Sequence, residues 1–270
     1  MTKYEKISVL ARETAKRISA NREEWIRYLD VASRLYKYPF EDQILIYAQR
    51  PDATACASLE MWNEKMFCWV NRGAKGIALL DGESERPRLR YVFDVTDVHK
   101  AKRIGRDPFI WHLREEHKEA VLAGLEHIYG STNDSLSFES RIYEIAAGIA
   151  EDFYEEAVDE VIDAAANSFL EDLDGDVVSV RFREMLVQSV SYIVLKRCGC
   201  DMTEFADDFT FDYIHEFNTL RTLSVLGSST SELCEPMLVQ IGRTIARYNR
   251  EAARKQLSLI HISEPTRLGM

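Results

Sequence analysis

The spacing of hydrophobic residues changes twice along this chain, and those changes limit the folds it can adopt. Residues 4–19 and 21–36 place apolar side chains three and four positions apart, the period of an amphipathic helix. Residues 67–95 instead contain short apolar runs of strand length separated by turns. After Pro108 the helical period returns and continues to Lys255. The pattern predicts an α+β fold, in which a small antiparallel sheet with flanking helices is followed by a mainly α-helical lobe.

Polar residues and prolines suggest where the helices begin and end. Asn21 and Glu24 have the spacing of a helix-start box, and Phe40–Gln49 forms a third apolar pattern that ends before Pro51. In the second half, Asp176 is positioned to cap a helix that runs to Cys198. Four further helices are predicted there, over residues 109–129, 138–170, 209–225 and 231–255.

Three strands are predicted between the two helical regions: Phe67–Val70, Gly76–Leu80 and Leu89–Val95. The first two are joined by Asn71–Gly76, a turn with two glycines. We expect the three strands to form one small antiparallel sheet. Alternation in the third strand places Leu89, Tyr91 and Phe93 on one face, and Arg88, Arg90 and Val92 on the other.

Charge divides the sequence unevenly. Residues 1–110 contain 20 Lys and Arg against 16 Asp and Glu, whereas the remainder contains 14 against 29, and the net charge is −11. No Lys or Arg lies between Arg141 and Arg181. The basic half is suited to nucleic acid and the acidic half would repel it, although an acidic helix face is also ordinary solvated surface. We therefore predict an α+β domain over 1–107 and an acidic helical domain over 108–256.

Motifs of catalysis and metal binding are not found. His112 and His117 are five residues apart, not the four that place two histidines on one helix face, and Cys198-Gly-Cys200 has no second cysteine pair. There is no phosphate-binding loop and no nucleophile elbow. The sequence predicts a protein that is not an enzyme, with no cofactor and no metal.

The sequence also bears on location. No apolar run approaches the ~18 residues of a membrane span, so we expect no contact with a membrane. The opening residues Met1–Lys6 are charged and lack the apolar segment of a signal peptide. A cytoplasmic protein with reduced cysteines is therefore expected.

Aromatic and cationic residues are interleaved in the sheet region, the combination with which proteins bind single-stranded nucleic acid. The turn at Arg72 and Lys75 also offers backbone N–H groups beside two cations, which suits a phosphate. The candidate nucleic-acid-binding residues are Trp69, Arg72, Lys75, Arg88 and Arg90. An alternative is that the aromatic residues form the core and the arginines are merely solvated.

Three segments and one tryptophan resemble the N-terminal domain of ArdC-type antirestriction proteins: Tyr38–Tyr47, Trp62, Trp69–Ala78 and Arg90–Val95. That family has, in the same order, an apolar helix, a tryptophan, a V-x-K-G-x-K-G turn and a Y-x-V-F-D-x-x-Q strand, and this sequence has no glutamine after its strand, around His99. Lys75 and the turn glycines match, whereas Arg72 stands where the family usually has its first turn lysine. The resemblance covers residues 35–100 and implies binding of single-stranded DNA.

A wider run, Met1–Arg247, resembles the N-terminal region of very large proteins of bacterial conjugative elements, and Ala48–Ala57 and Phe217–Gly227 carry the likeness. Those proteins join this region to a Swi/Snf-type helicase and often to an adenine-specific DNA methyltransferase, whose motifs this sequence lacks. The resemblance implies a non-catalytic module of a DNA-processing protein. Its expected partners are single-stranded DNA and the parent protein's helicase and methyltransferase domains.

The end of the sequence has a different character. Leu257–Arg267 resembles the in-frame translation of a sequencing-library adaptor, and it abruptly replaces a basic helix that runs through Arg254 and Lys255. We predict that 257–270 is an artefactual tail outside the fold. A natural disordered tail is the alternative.

Two other functions remain open from the sequence. The chain is either a scaffold, whose acidic helices dock the parent protein's other domains or a basic partner, or a DNA mimic, whose carboxylates are spaced like phosphates. The scaffold hypothesis predicts no affinity for DNA and an exposed apolar patch where the other domains of the parent protein would pack.

Overall fold

The structure is a computed structural model of the 270-residue chain. It describes the backbone and side chains of most residues, but only the backbone of 257–263. The residues that it does not describe are 83–86, 103, 105–106, 109 and 264–270. The predicted artefactual tail therefore lies outside the described side chains.

Helices dominate the described chain. The first half contains α1 (Lys3–Ile18), α2 (Arg22–Ala32) and α3 (Phe40–Gln49). The second half contains α4 (Lys118–Tyr129), α5 (Phe138–Ala164), α6 (Gly175–Cys198) and α7 (Leu220–Ser263). None of the described helices, α7 included, is apolar enough over its length to cross a membrane.

Side chains of neighbouring residues cap these helices. Thr2 and Glu5 form a reciprocal capping box at the start of α1, which satisfies two backbone N–H groups. The predicted cap of α2 is confirmed, because Asn21 Oδ1 accepts a hydrogen bond from Glu24 N at 2.9 Å. The predicted cap of α6 is wrong by two residues. Asp174 holds that position, and its carboxylate accepts from Asp176 N at 3.0 Å.

The strands form two antiparallel sheets. The larger has the order β1–β4–β3, built from Cys56–Ser58, Arg88–Asp94 and Ile77–Asp81. The smaller pairs β2 (Cys68–Val70) with β5 (Val98–Lys100), and we call it the β2–β5 ribbon. The predicted fold class is confirmed. The three predicted strands do not form one sheet, because β2 pairs with β5 and not with β3.

Helix boundaries after residue 108 differ from prediction in several places, and the helix expected over 138–170 ends at Ala164. The expected helix over 109–129 begins only at Lys118, after a 3₁₀ turn, and Trp111 is buried in the irregular segment before it. The two helices expected over 209–225 and 231–255 are replaced by the single helix α7, which includes Pro236.

One hydrophobic core contains residues from both predicted domains. Trp25 of α2 is fully buried, and its Nε1 donates to Ser189 Oγ of α6 at 3.1 Å. Phe40, at the start of α3, lies against Gly227 of α7 so closely that a Cβ there would come within 2.0 Å of the ring. The two predicted domains thus share their core.

Candidate nucleic-acid interface

A tight turn follows strand β2 and displays one of the predicted cations. Ala74 N donates to Asn71 O at 3.0 Å, which closes a four-residue turn with Arg72 in the second position. Gly73, in the third position, has φ +89°, the left-handed conformation that type II turns require there. Arg72 and Lys75 are both exposed. The sequence therefore builds a turn whose tip carries a cation.

The β2–β5 ribbon places two aromatic side chains on one exposed face. Trp69 is opposite His99 in the antiparallel register, so both side chains point the same way. Trp69 is 47% exposed and His99 is exposed, whereas Cys68, on the other face, is buried. His99 Nδ1 lies 2.7 Å from Asn71 Oδ1. This contact fixes the imidazole beside the turn.

Backbone hydrogen bonds extend the ribbon at both ends and attach it to the body. Asn71 N donates to Asp97 O at 2.8 Å, and Ala101 N donates to Phe67 O at 3.0 Å. The Asp97 carboxylate is in turn held by Arg50 Nη1 at 2.5 Å. The aromatic face and the turn are therefore presented by paired backbone and not by a free loop.

Several exposed cations on and next to the ribbon strands have no carboxylate partner among the described residues. Among the described residues, none forms an ion pair with Arg72 or Lys75, and the same holds for the exposed Lys65 before β2 and Lys102 after β5. Lys100 differs, because its Nζ lies 2.5 Å from Asp107 Oδ2. Unpaired exposed cations are the groups that neutralise phosphates.

Arg90, also predicted for the interface, lies elsewhere and has a structural role. It forms an ion pair with Asp42 of α3, whose carboxylate is almost fully buried. Burial raises the pKa of Asp42 from its usual 3.8, and the Arg90 charge opposes that change. Arg90 therefore compensates a buried acid and is not free to bind phosphate.

Arg88 is exposed but distant from the turn. It pairs with Asp81 at one end of the β3–β4 ladder, whereas Ile77, next to the turn, pairs with Val92 at the other. Four residues of strand separate the two ends, which is about 13 Å. The structure thus keeps Trp69, Arg72 and Lys75 exposed on β2 and the segment that follows it, and it places Arg88 and Arg90 on a different strand, β4.

The alternation predicted for β4 is present, but the face expected to be core is partly exposed. Val92 is buried on the side of Arg90, whereas Tyr91 is 37% exposed, with Lys3 Nζ 4.9 Å from its ring centroid. The reason is that Val92 pairs with the buried Ile77 of β3, the strand on which α3 packs.

Two residues of the interface, Asn71 and His99, were not among the predicted site residues. Neither has a motif of its own, and β5 contains only three residues, too few for an alternation pattern. The pairing of β5 with β2 is what brings His99 to the aromatic face.

The histidine pair considered in the sequence does not form a site. His117 is buried, its Nδ1 accepts from Arg114 N at 3.1 Å, and its Nε2 lies 3.0 Å from Asn249 Oδ1. His112 is exposed. Across the part of the chain that the structure describes, no three His, Cys, Asp or Glu side chains are grouped so as to hold a metal ion.

The helical lobe has an apolar patch at one end, where α5 gives way to α6. Phe169 is 65% exposed in the connection, and Ile162, Val177 and Val180 are exposed on the adjoining helix ends. Exposed acids occur in the same segment: Asp163, Glu171, Asp172 and Asp176. We call these eight residues the acidic end.

Comparison with known proteins found no match, whether among protein-family models, curated proteins or solved structures. The resemblance to ArdC-type domains therefore stays a prediction from the sequence.

Proposed function

We propose that this chain is a non-catalytic module of a bacterial mobile-element DNA-processing protein, and that its β2–β5 ribbon binds single-stranded DNA. The observation that carries the proposal is the exposed Trp69 of β2, followed by the exposed cations Arg72 and Lys75, which have no carboxylate partner among the described residues. Stacking on an aromatic side chain combined with phosphate neutralisation is how proteins hold single strands.

Single strands fit this surface better than a duplex. Trp69 offers a flat ring to an unstacked base, and in a duplex the faces of the bases are already occupied by their neighbours. The acidic second half of the chain would repel a strand and so favours binding at this surface alone.

The ribbon can be tested by its intrinsic fluorescence. Of the four tryptophans, Trp25, Trp62 and Trp111 are buried and Trp69 alone is exposed. We expect a single-stranded oligonucleotide to quench fluorescence through Trp69. Trp69→Ala should remove the quenching and weaken binding by about 5- to 150-fold, the value of one base stack. Anisotropy of a labelled oligonucleotide measures the affinity, and the same titration with a duplex tests strand preference.

The cations have a matched control. Arg72→Ala with Lys75→Ala should reduce the salt dependence of binding by about 1.4 in the slope of log affinity against log salt, because two phosphate contacts are lost. Lys6→Ala with Arg12→Ala removes the same charge from exposed positions on α1 and should leave the slope unchanged. Equal affinity of both double variants would falsify the site, and no binding at low salt would overturn the proposed function.

The acidic end supports a second candidate function, the interaction scaffold. An exposed apolar patch rimmed by charge is typical of a docking surface, and here the rim is acidic. A basic amphipathic helix, of the proposed parent protein or of another protein, has the complementary chemistry.

A synthetic amphipathic helix of Lys and Leu is the probe for this surface. We expect it to bind in calorimetry, less tightly as salt rises, and Phe169→Ser should weaken it at least tenfold. Ile128→Ser is the control, because Ile128 is exposed on α4, away from the acidic end. Absence of binding, or equal loss in both variants, would exclude the scaffold role of this surface.

A further inference from the structure

A pocket of about 300 Å³ lies where the α2–α3 connection meets β1 and the last turn of α6. Two groups of side chains stand out in its lining. Three are cations, Arg34, Lys37 and Arg197, and three are large apolar residues of the helical turn before β2, Met61, Trp62 and Met66. We call it the basic pocket. It shares no residue with the exposed face of the β2–β5 ribbon.

Arg197 brings a positive charge into this pocket without a counter-ion. Its Cζ is 3.5 Å from the centroid of the Trp111 ring, and Nη2 donates to Trp111 O at 2.8 Å. Burial lowers the pKa of this guanidinium. Among the described residues no carboxylate pairs with it, so its charge is only partly compensated. A bound anion would complete the compensation.

The other two cations differ in how firmly their side chains are held. Arg34 donates through Nε to Ala53 O at 2.9 Å and through its two terminal nitrogens to Pro51 O and Asp30 O, both at 3.0 Å. These bonds use three of the five N–H groups of the guanidinium and fix its position. Two N–H groups remain for a ligand. Lys37 is exposed, with Nζ 5.8 Å from the Tyr36 ring centroid. Neither has an ion pair with an acid in the described chain.

The apolar side of the pocket suits a planar ring. Trp62 is buried, and its Nε1 is satisfied by Phe93 O at 2.9 Å, so the indole contributes apolar surface alone. Met61 and Met66 are flexible and polarisable, and thioethers make favourable contacts with aromatic rings. A volume of about 300 Å³ is at the lower end for pockets that hold small organic ligands.

We propose that the basic pocket binds a phosphomonoester attached to a planar ring, the chemical class of a nucleoside monophosphate. The cations hold the phosphate and the Met61–Met66 turn covers the ring. Two ligands contain both a ring and a phosphomonoester: a free mononucleotide and the 5′-phosphorylated end of a DNA strand. The proposal does not depend on the ribbon, because it uses none of the ribbon's exposed residues.

Calorimetry on the full chain tests the pocket with three probes. Deoxyadenosine monophosphate carries ring and phosphate, deoxyadenosine the ring alone, and inorganic phosphate the anion alone. We expect the nucleotide to bind at least tenfold more tightly than either part. Lys37→Glu should weaken it at least tenfold without unfolding, since Lys37 is exposed. Lys6→Glu, the same charge change on α1, should not. Equal binding of nucleotide and phosphate, or an unaffected Lys37→Glu variant, would overturn the proposal.

A second variant and a pair of oligonucleotides separate the sources. Arg197→Met removes the half-buried charge, and its melting temperature shows whether it folds; if it does, nucleotide binding should be lost. Oligonucleotides with and without a 5′-phosphate are then compared in the Trp69→Ala background, where binding to the ribbon is weakened. A 5′-phosphate preference that is competed by the mononucleotide supports the strand end. Mononucleotide binding with no such preference supports the free nucleotide.

Discussion

Replacing Asp94 by alanine is expected to lower the free energy of unfolding by about 3–5 kcal/mol, because a buried charged acceptor is removed from several donors at once. Its Oδ2 accepts from the backbone N–H groups of Thr54 at 2.7 Å and Ala55 at 3.0 Å. Its Oδ1 accepts from Thr96 N at 3.0 Å. The side chain thus joins the segment before β1 to the end of β4, and urea denaturation measures the loss.

A control separates this effect from that of an ordinary turn. Asp201 accepts from Thr203 N at 2.9 Å and Thr203 Oγ1 at 2.8 Å in a similar local arrangement, but it is exposed. Asp201→Ala should therefore cost far less than Asp94→Ala. Equal losses would mean that burial of the Asp94 carboxylate contributes nothing.

The same carboxylate makes stability depend on pH. Burial by itself would raise the pKa of Asp94, but the backbone N–H groups of Thr54, Thr96 and Ala55 outweigh burial and lower the pKa below its usual 3.8. A lowered folded-state pKa stabilises the protein above the unfolded-state value, and the stabilisation disappears as pH falls through the folded-state value. The stability difference between the native chain and Asp94→Asn should therefore narrow below about pH 4. A constant difference from pH 7 to pH 3 would contradict this.

Gly227→Ala is expected to destabilise the fold by about 2–4 kcal/mol, although alanine normally favours a helix by about 1 kcal/mol over glycine. The added Cβ would lie 2.0 Å from Phe40 Cδ2 and 2.4 Å from Cγ and Cε2. Phe40 is fully buried and has no space to move aside. Either the Phe40 ring must leave its position or α3 must move away from α7.

Gly148 is the matched control, because a Cβ there meets nothing within 4 Å and the residue is exposed within α5. Gly148→Ala should stabilise by about 0.5–1 kcal/mol. Phe40→Ala alone should cost about 3–5 kcal/mol, but less in the Gly227→Ala background, where the clash is relieved. Strictly additive losses in the double variant would show that the ring does not contact Gly227.

Local signals in the sequence were sufficient for most of the helices. Capping residues and the 3.6-residue period identify α1, α2 and α3 to within a residue or a few. The pattern failed between Val225 and Ser231, where the buried polar residues Ser229 and Thr230 interrupt the apolar period of α7. In the structure Thr230 Oγ1 donates to Leu226 O at 2.7 Å, so the hydroxyl is satisfied within the helix.

The candidate site was only partly predictable for a related reason. Trp69, Arg72 and Lys75 are close in sequence, and a turn with glycine keeps them close in space. Arg90 appeared equivalent to Arg72 because its partner, Asp42, is 48 residues away and nothing local indicates the pairing. The same limit applies to β1 and β5, three-residue strands that exist only through their partners.

The common core of the two halves has a consequence for how such a fold can change over time. Recombination that exchanged residues 1–107 for another sequence would leave Gly227 facing a different surface and Ser189 without the indole of Trp25. The packing surface of each half is complementary to the packing surface of the other. A recombination event that keeps this core intact must therefore carry both halves together, with the β2–β5 ribbon and the acidic helices on one segment.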